Sequence, residues 1–285
     1  MIVNSNIASL RINEAVSNNA NNLNGSIENI SSGQKVSKAG DDASALSIAD
    51  KLRTQVSSLN QSVDNGLSAV AMLQIADKAM AEQSNILDAI KSKLIQARTA
   101  TTSKEGRTAI VKDIDRLLFQ LDNIASQTTY NGTNLLQKST GDPSAVDELK
   151  FHIGEAGAST ISIDTDDIQA NTEGLRLVTL KEYRDGDDLT PESAGEQLQV
   201  IDSALSKLNQ YRSEYGSTQL QIESSTRNMM TGVTNLSESE SVIRDVDFAE
   251  ENADLVHDHV LAMTGGYAMS QANSMPQNVL YLLRT

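Results

Sequence analysis

From Ala45 the apolar positions fall at Ala45, Ala49, Leu52, Val56, Leu59 and Val63, then at Leu67, Val70 and Leu73. The steps are mostly three and four, the spacing that gathers side chains onto one stripe of an α-helix. The pattern runs on through Ile75, Ala79, Ile86, Ile90 and Leu94 with no proline in the span. At about 1.5 Å per residue, a helix from Ala45 to Ala97 would be roughly 80 Å long. Such a helix cannot be globular alone and must lie along others. Lys104, Glu105 and Gly106 are expected to break it. A second helix carries Ile110, Ile114, Leu117, Leu118, Leu121 and Ile124 and can fold back antiparallel on the first. Asn131-Gly132 then supplies a turn that tolerates positive φ.

In the middle of the chain the period changes. Leu149-Lys-Phe-His-Ile153 and Thr160-Ile-Ser-Ile-Asp164 alternate apolar and polar residues, the mark of strands, and predict a β-hairpin over 149–164. Helical spacing returns at Leu198, Ile201, Leu205, Leu208, Tyr211, Tyr215 and Ile222, then at Met229, Val233 and Leu236. After an expected break near Ser237–Ser241 it continues as Ala249, Ala253, Val256, Val260, Met263 and Tyr267. The fold class is therefore mainly α. The pattern predicts an elongated antiparallel helical bundle or coiled coil built from both ends of the chain, with the small hairpin between them.

The extremes differ from the long helices. Ala20, Leu23, Ile27 and Ile30 keep the stripe, yet residues 18–24 are mostly Asn, whose amide competes for backbone hydrogen bonds. Gly265-Gly266 interrupts the C-terminal stripe, at about 1 kcal/mol for each glycine. Ile7 and Leu10 at one end, and Val279, Leu280, Leu282 and Leu283 at the other, have nothing local to pack against. Helical stability comes chiefly from packing of the apolar stripe. The two ends are therefore expected to be disordered in a monomer and ordered in an assembly, with each other and further copies of the chain as partners.

Composition supports helix-on-helix packing, with no Trp and three Phe in 285 residues, so that Ala, Leu, Ile and Val must supply the core. The chain has no Cys, which excludes disulfides and thiolate chemistry. Its apolar runs are far shorter than the roughly 20 residues a membrane span needs, and Asn4, Ser5 and Asn6 interrupt the pattern of a cleaved signal peptide. The net charge of −15 is concentrated in residues 142–192, with four basic and thirteen acidic groups. That stretch is expected to face solvent. No basic stripe exists to neutralise phosphates, so nucleic-acid binding is not expected.

Three segments resemble one family. Ser31-Ser-Gly-Gln-Lys-Val-Ser-Lys-Ala-Gly-Asp-Asp-Ala43, running on to Ser47-Ile-Ala49, is similar to the N-terminal signature of bacterial flagellins. Gln127-Thr-Thr-Tyr-Asn-Gly132 resembles the segment that closes the N-terminal half of their rod. Glu240-Ser-Val-Ile-Arg-Asp-Val-Asp-Phe-Ala249 and Ser270-Gln-Ala-Asn-Ser-Met-Pro-Gln-Asn-Val-Leu-Tyr-Leu-Leu-Arg284 resemble the closing signature. The motif positions are Ser32, Gly33, Asp41, Asp42, Tyr130, Asn131, Gly132, Arg244, Asp245, Gln277, Asn278 and Arg284.

The resemblance implies a subunit that self-assembles into the helical flagellar filament for motility. It would be extracellular, exported without a cleaved signal peptide, and of a minimal form without large outer domains. It also implies an inner coiled-coil domain of residues 1–43 plus 239–285, and a rod domain of residues 44–238 that carries the hairpin and an acidic loop region at 165–192. Inner-layer assembly would fall to Ile7, Leu10, Leu23, Ile27, Ile30, Val256, Val260, Met263, Val279, Leu280, Leu282 and Leu283. The rod core would include Leu52, Val56, Leu59, Val63, Leu205, Leu208, Met229 and Val233. Partners implied are other copies of the chain, the export apparatus, an export chaperone and the filament cap. The alternatives are a hook–filament junction protein, or a flagellin-like surface binding or adhesion protein. Where many flagellins carry the L-Q-R-V-R-E-L type of segment sensed by a vertebrate Toll-like receptor, this chain has Leu87-Asp-Ala-Ile-Lys-Ser-Lys93. Ala89 replaces the key Arg and Ser92 the acid, with Lys91 between them, and poor receptor recognition is expected.

The remaining chemistry is sparse. His257 and His259 flank Asp258, but positions two apart on a helix face different ways. Asp166-Asp167 and Asp187-Asp188 lack calcium-loop spacing. Asp41-Asp42 beside Gly40 suits a helix N-terminus, where carboxylates cap. With three His and no visible nucleophile–base pair, neither enzyme activity nor a cofactor is expected.

Overall fold

The computed structural model describes residues 6–137, 148–154, 159–164, 168–184 and 189–282. The fold is mainly α. Helix α1 spans Ile7–Ser32, α2 Ala43–Arg98 and α3 Lys104–Gln127. The short strands β1 (Thr129–Tyr130) and β2 (Thr133–Asn134) follow, then β3 (Glu148–His152) and β4 (Thr160–Asp164). Helix α4 is a single turn at Val178–Lys181, α5 spans Pro191–Arg244 and α6 Phe248–Leu282. Both strand pairs are antiparallel, and Leu149 faces Ile163 in the second.

Several boundaries differ from the sequence pattern. Helix α2 ends at Arg98, and Ser103 caps α3 by accepting from the Gly106 amide at 3.2 Å, so Lys104, Glu105 and Gly106 start a helix instead of breaking one. Helix α5 continues through Ser237–Ser241, and the break falls at 245–247. The serines there are absorbed as helical surface residues; Ser239 and Ser241 satisfy their hydroxyls on Asn235 O and the Asp245 carboxylate. Helix α6 also runs through Gly265-Gly266 without interruption.

The chain divides into two compact units, residues 57–233 and residues 1–56 with 234–285. The residues before 57 and after 233 therefore group with the ends of the chain, although the signature pattern put the boundaries at 43/44 and 238/239. Ala49 is fully buried, and Arg244 lies between Asp50 and Glu240, which ties the start of α2 to the end of α5 within the terminal unit.

The middle unit has one apolar core. Leu73, Met80, Leu87, Ile90 and Leu94 of α2 meet Ile110, Ile114, Leu118 and Leu121 of α3, and Ile201, Leu208, Tyr211, Tyr215 and Ile222 of α5. Of the expected core residues, Leu208 and Met229 are buried, and Leu59, Val63 and Leu205 pack at the edge; Leu52, Val56 and Val233 are half-buried. Leu67 and Ile75 of the expected stripe face outward. The buried row instead passes through Ala69, Met72, Ala76 and Met80, and holds wholly buried Gln83. The Gln83 amide donates to Leu121 O at 3.2 Å and Ala170 O at 2.7 Å, which satisfies those carbonyls. Tyr215 donates to Leu135 O at 2.7 Å, and its burial pushes the phenol pKa well above the ordinary value.

The expected solvent-facing acidic stretch needs correction. Ile168, Ala170, Leu175, Leu177, Leu180 and Leu189 are buried in the core, and α4 and the start of α5 occupy part of the expected 165–192 loop. Regional net charge hid these residues: the spacing of Leu175, Leu177 and Leu180 is too short and irregular to show a helix or strand period. Asp122 of α3 anchors the stretch, accepting from the Thr172 amide at 2.8 Å and from Lys181 Nζ at 2.6 Å. Gly174 is required here: a Cβ would sit 2.2 Å from Gln169 O, a backbone atom that cannot swing away. Gly174→Ala is expected to destabilise the unit by about 1–3 kcal/mol, read as a lower urea midpoint of the monomer.

Candidate assembly surface

The terminal unit is built on the antiparallel pairing of α1 with α6. Asn6 Nδ2 donates to Ala272 O at 2.8 Å, Asn19 Nδ2 to Asp258 O at 2.7 Å and Asn29 Nδ2 to the Glu251 carboxylate at 3.3 Å. The shielded positions are Ile12, Val16, Asn19, Leu23, Ser26 and Ile30 on α1, and Leu255, Asp258, Ala262, Gly265, Met269 and Ala272 on α6. Both sets step by three and four, a heptad seam. Its content is half polar or small. Gly265 permits the close approach, since a Cβ there would lie 2.7 Å from Val16 Cγ2.

The apolar surface of α6 lies elsewhere. Val256, Val260, Met263 and Tyr267 are 60%, 47%, 52% and 80% exposed. At about 100° per residue they fall on the side of α6 turned away from α1. Ile7, Leu10 and Ile27 of α1 are exposed too. The inner-layer residues expected from the sequence thus separate into two groups. Leu23 and Ile30 sit in the seam within the chain, whereas Ile7, Leu10, Ile27, Val256, Val260 and Met263 face outward. Leu283 lies outside the described residues, as do the side chains of Val279, Leu280 and Leu282.

Six of the motif residues, Ser32, Gly33, Asp41, Asp42, Arg244 and Asp245, lie near the joint where α1 ends and α6 begins. Gly33 closes α1 at φ 71°, a left-handed position that favours glycine, and donates to Asn29 O. Gln34 and Asp245 then form an antiparallel bridge, with Lys35 N donating to Arg244 O at 2.7 Å and Val246 N to Gly33 O at 3.1 Å. Asp42 caps α2, accepting from the Ser44 and Ala45 amides at 2.9 Å. Asp41 instead turns back to accept from the Ser37 and Lys38 amides, which holds its carboxyl below the ordinary pKa. Asp247 caps α6 through the Ala249 amide at 2.8 Å. Ser32 donates to Asn29 O. Tyr130 and Thr133 pair across the Asn131-Gly132 turn, in which both residues have positive φ, in the middle unit. The side chains of Gln277 and Asn278, and residue Arg284, lie outside the described residues.

The other candidates are placed simply. Ala89 and Ser92 are exposed on α2, and Lys91 pairs with Asp202 at 2.5 Å. His257 lies 3.5 Å from the Asp258 carboxylate and both line a groove of about 570 Å³ with Ile12, Val16 and Leu261. Among the described residues no group of three or more His, Cys, Asp or Glu is placed to hold a metal, and no helix is long and apolar enough to cross a membrane. The acidic pairs Asp166-Asp167 and Asp187-Asp188 lie outside the described residues. Sequence reading missed the seam and the Gln34–Asp245 bridge. The only signal for the seam was heptad spacing of mixed small and polar residues, which hydropathy does not register.

Comparison with known proteins agrees along the whole chain. The bacterial flagellin N-terminal helical region matches residues 3–140, and the bacterial flagellin C-terminal helical region matches residues 198–283. The flagellar filament 30.7 kDa core protein of Treponema maltophilum is 32% identical over 284 residues, covering 99% of this chain and 100% of that one. The flagellar filament 33 kDa core protein of Treponema phagedenis is 30% identical over 288 residues, and the flagellin of Bacillus subtilis (strain 168) 31% identical over 304; both matches cover 100% of each chain.

Proposed function

The chain belongs to the bacterial flagellin family, a family of structural proteins, and from that premise we propose how it assembles. Its function is that of a structural subunit of the flagellar filament. Assembly proceeds by docking of the outward stripe of α6, with Ile7, Leu10 and Ile27 of α1, against neighbouring copies. The observation that carries this reading is the position of Val256, Val260, Met263 and Tyr267 on the face of α6 away from α1. Fully burying one such side chain contributes about 1.5–3 kcal/mol, and every subunit repeats the contact. A heterologous contact that does not close on itself produces a filament.

The terminal segments 1–43 and 239–285 form the inner layer, ordered by assembly, and residues 44–238 the rod around it. Val279, Leu280, Leu282 and Leu283 are assigned to the inner layer by the family resemblance of their segment. The filament lies outside the cell, and the export apparatus, an export chaperone and the filament cap handle the subunit on the way. No catalytic step is assigned. Seeded polymerisation of purified protein, followed by electron microscopy and circular dichroism, tests the reading. Filaments and a gain in helicity are expected; protein that stays monomeric on its own seeds contradicts it.

Ala89 and Ser92 leave α2 without the bidentate cation and the acid of the receptor-sensed segment, and Lys91 is engaged with Asp202. The monomer is expected to stimulate flagellin-receptor reporter cells poorly. Full stimulation at the dose of a receptor-active flagellin overturns that assignment.

A further inference from the structure

The methionines differ in exposure: Met230 of α5 is open to solvent in the middle unit, but the other methionines described there are not. Met80 is fully buried in the middle unit, and Met72 and Met229 are buried with it. On α6, by contrast, Met263 sits within the outward stripe between Val260 and Tyr267, and Met275 is exposed further along the same helix. Both thioethers stand open to solvent in the single chain, on the helix that the assembly reading buries against another copy. Thioethers are soft and apolar and pack well into such contacts. Adding one oxygen makes them strongly polar, and a polar group buried without a hydrogen-bond partner is unfavourable.

We propose that Met263 and Met275 are a reversible oxidation site that controls entry of the subunit into the polymer, an inference that rests on the assembly reading above. The oxidant is a hydroperoxide. A sulfur lone pair attacks one peroxide oxygen, the O–O bond breaks and an S–O bond forms. The sulfur loses two electrons to become the sulfoxide, and the other oxygen takes up a proton and leaves as water or an alcohol. A thiol-dependent sulfoxide reductase reverses the change: two thiols supply two electrons and two protons and become a disulfide, the S–O bond breaks, and the oxygen leaves as water. The unassembled chain is the vulnerable form. Once packed, the same sulfurs are shielded, so oxidation selects against damaged subunits before they are incorporated.

The test treats wild-type monomer and the double variant Met263→Leu/Met275→Leu with hydrogen peroxide, maps sulfoxides by peptide mass spectrometry and follows seeded polymerisation by light scattering. Sulfoxide is expected at the exposed Met230, Met263 and Met275, with the buried Met72, Met80 and Met229 spared, and the double variant, which keeps Met230, separates the α6 sulfurs from it. Oxidised wild type is expected to polymerise about ten-fold more slowly or worse, as a buried unpaired polar group implies. The double variant keeps its rate after peroxide, and sulfoxide reductase restores wild type. Met263→Gln, which places a polar amide at that position without oxidant, is expected to reproduce the loss. Preassembled filaments should protect Met263. The proposal is overturned if wild type fully oxidised at Met263 and Met275 polymerises at the untreated rate, or if Met263→Gln does. It is equally overturned if the double variant is inhibited by peroxide as strongly as wild type, since the lesion then lies elsewhere. Normal polymerisation of Val260→Asp is a separate result: it removes the assembly reading, whereas the outcomes above leave that reading standing.

Discussion

Val260→Asp is expected to leave a folded monomer that no longer forms filaments. Val260 is half exposed on the outer side of α6, away from the Leu255–Ala262–Met269 seam, so the single chain loses almost no contact when it is replaced. Surface changes of this kind cost within about 0.5 kcal/mol. In the assembly the same carboxylate would be buried among apolar side chains with no cation opposite it. An uncompensated buried charge costs about 3–5 kcal/mol, and the penalty recurs in every subunit. The critical concentration should rise by about a hundred-fold or more. Circular dichroism and the urea midpoint should match wild type while sedimentation and electron microscopy show no polymer. Filaments at the wild-type critical concentration would exclude the outer face of α6 from the contact.

Leu87→Ala should show the opposite profile. Leu87 is fully buried in the core where α2 meets α3 and α5, and it lies far along the sequence from either end. Truncation removes the transfer free energy of three carbons' worth of side chain and leaves a cavity that the neighbouring helices cannot close. The expected cost is about 2–5 kcal/mol to the middle unit, visible as a lower thermal and urea midpoint of the monomer. A midpoint within error of wild type would mean that the core around Leu87 is not the stabilising one. The two variants separate the two apolar surfaces: one faces inward and decides folding, and the other faces outward and decides polymerisation.

The long helices were legible from their apolar spacing, although on α2 Leu67 and Ile75 of the expected stripe face outward. Ile201, Leu208, Tyr211, Tyr215 and Ile222 keep helical spacing and are all buried. The hairpin was legible from alternation around Phe151 and Ile161, which pair across it. At the ends, hydropathy located the stripe of Val256, Val260, Met263 and Tyr267 but not the face that meets α1. That face runs through Asp258, Ala262 and Gly265 on one helix and Asn19 and Ser26 on the other, residues that a search for apolar periodicity passes over. Helix ends were legible only where a cap was local. Asp41-Asp42 beside Gly40 announced the start of α2, whereas the break at 245–247 is bridged to Gln34, some two hundred residues away in sequence, and is marked locally by the Asp247 cap of α6 alone. The Ser-rich end of α5 reads as a break by propensity alone, yet Ser239 and Ser241 stay helical with their hydroxyls bonded to Asn235 O and the Asp245 carboxylate. Leu175, Leu177 and Leu180 were hidden by the net acidity of the wider stretch and by their short, irregular spacing, and Asp122, which anchors that stretch through Thr172 and Lys181, is revealed by no pattern in their own segment.

The central claim is that α1 and α6 complete their packing on other copies of the chain. Hydrogen exchange of residues 7–32 and 248–282, compared between dilute monomer and filament, tests it most directly. The account predicts fast exchange through both helices in the monomer, beside a protected core at Leu87, Leu118 and Tyr215, and strong protection of both helices once polymerised. Terminal helices as protected in the dilute monomer as in the filament would contradict it.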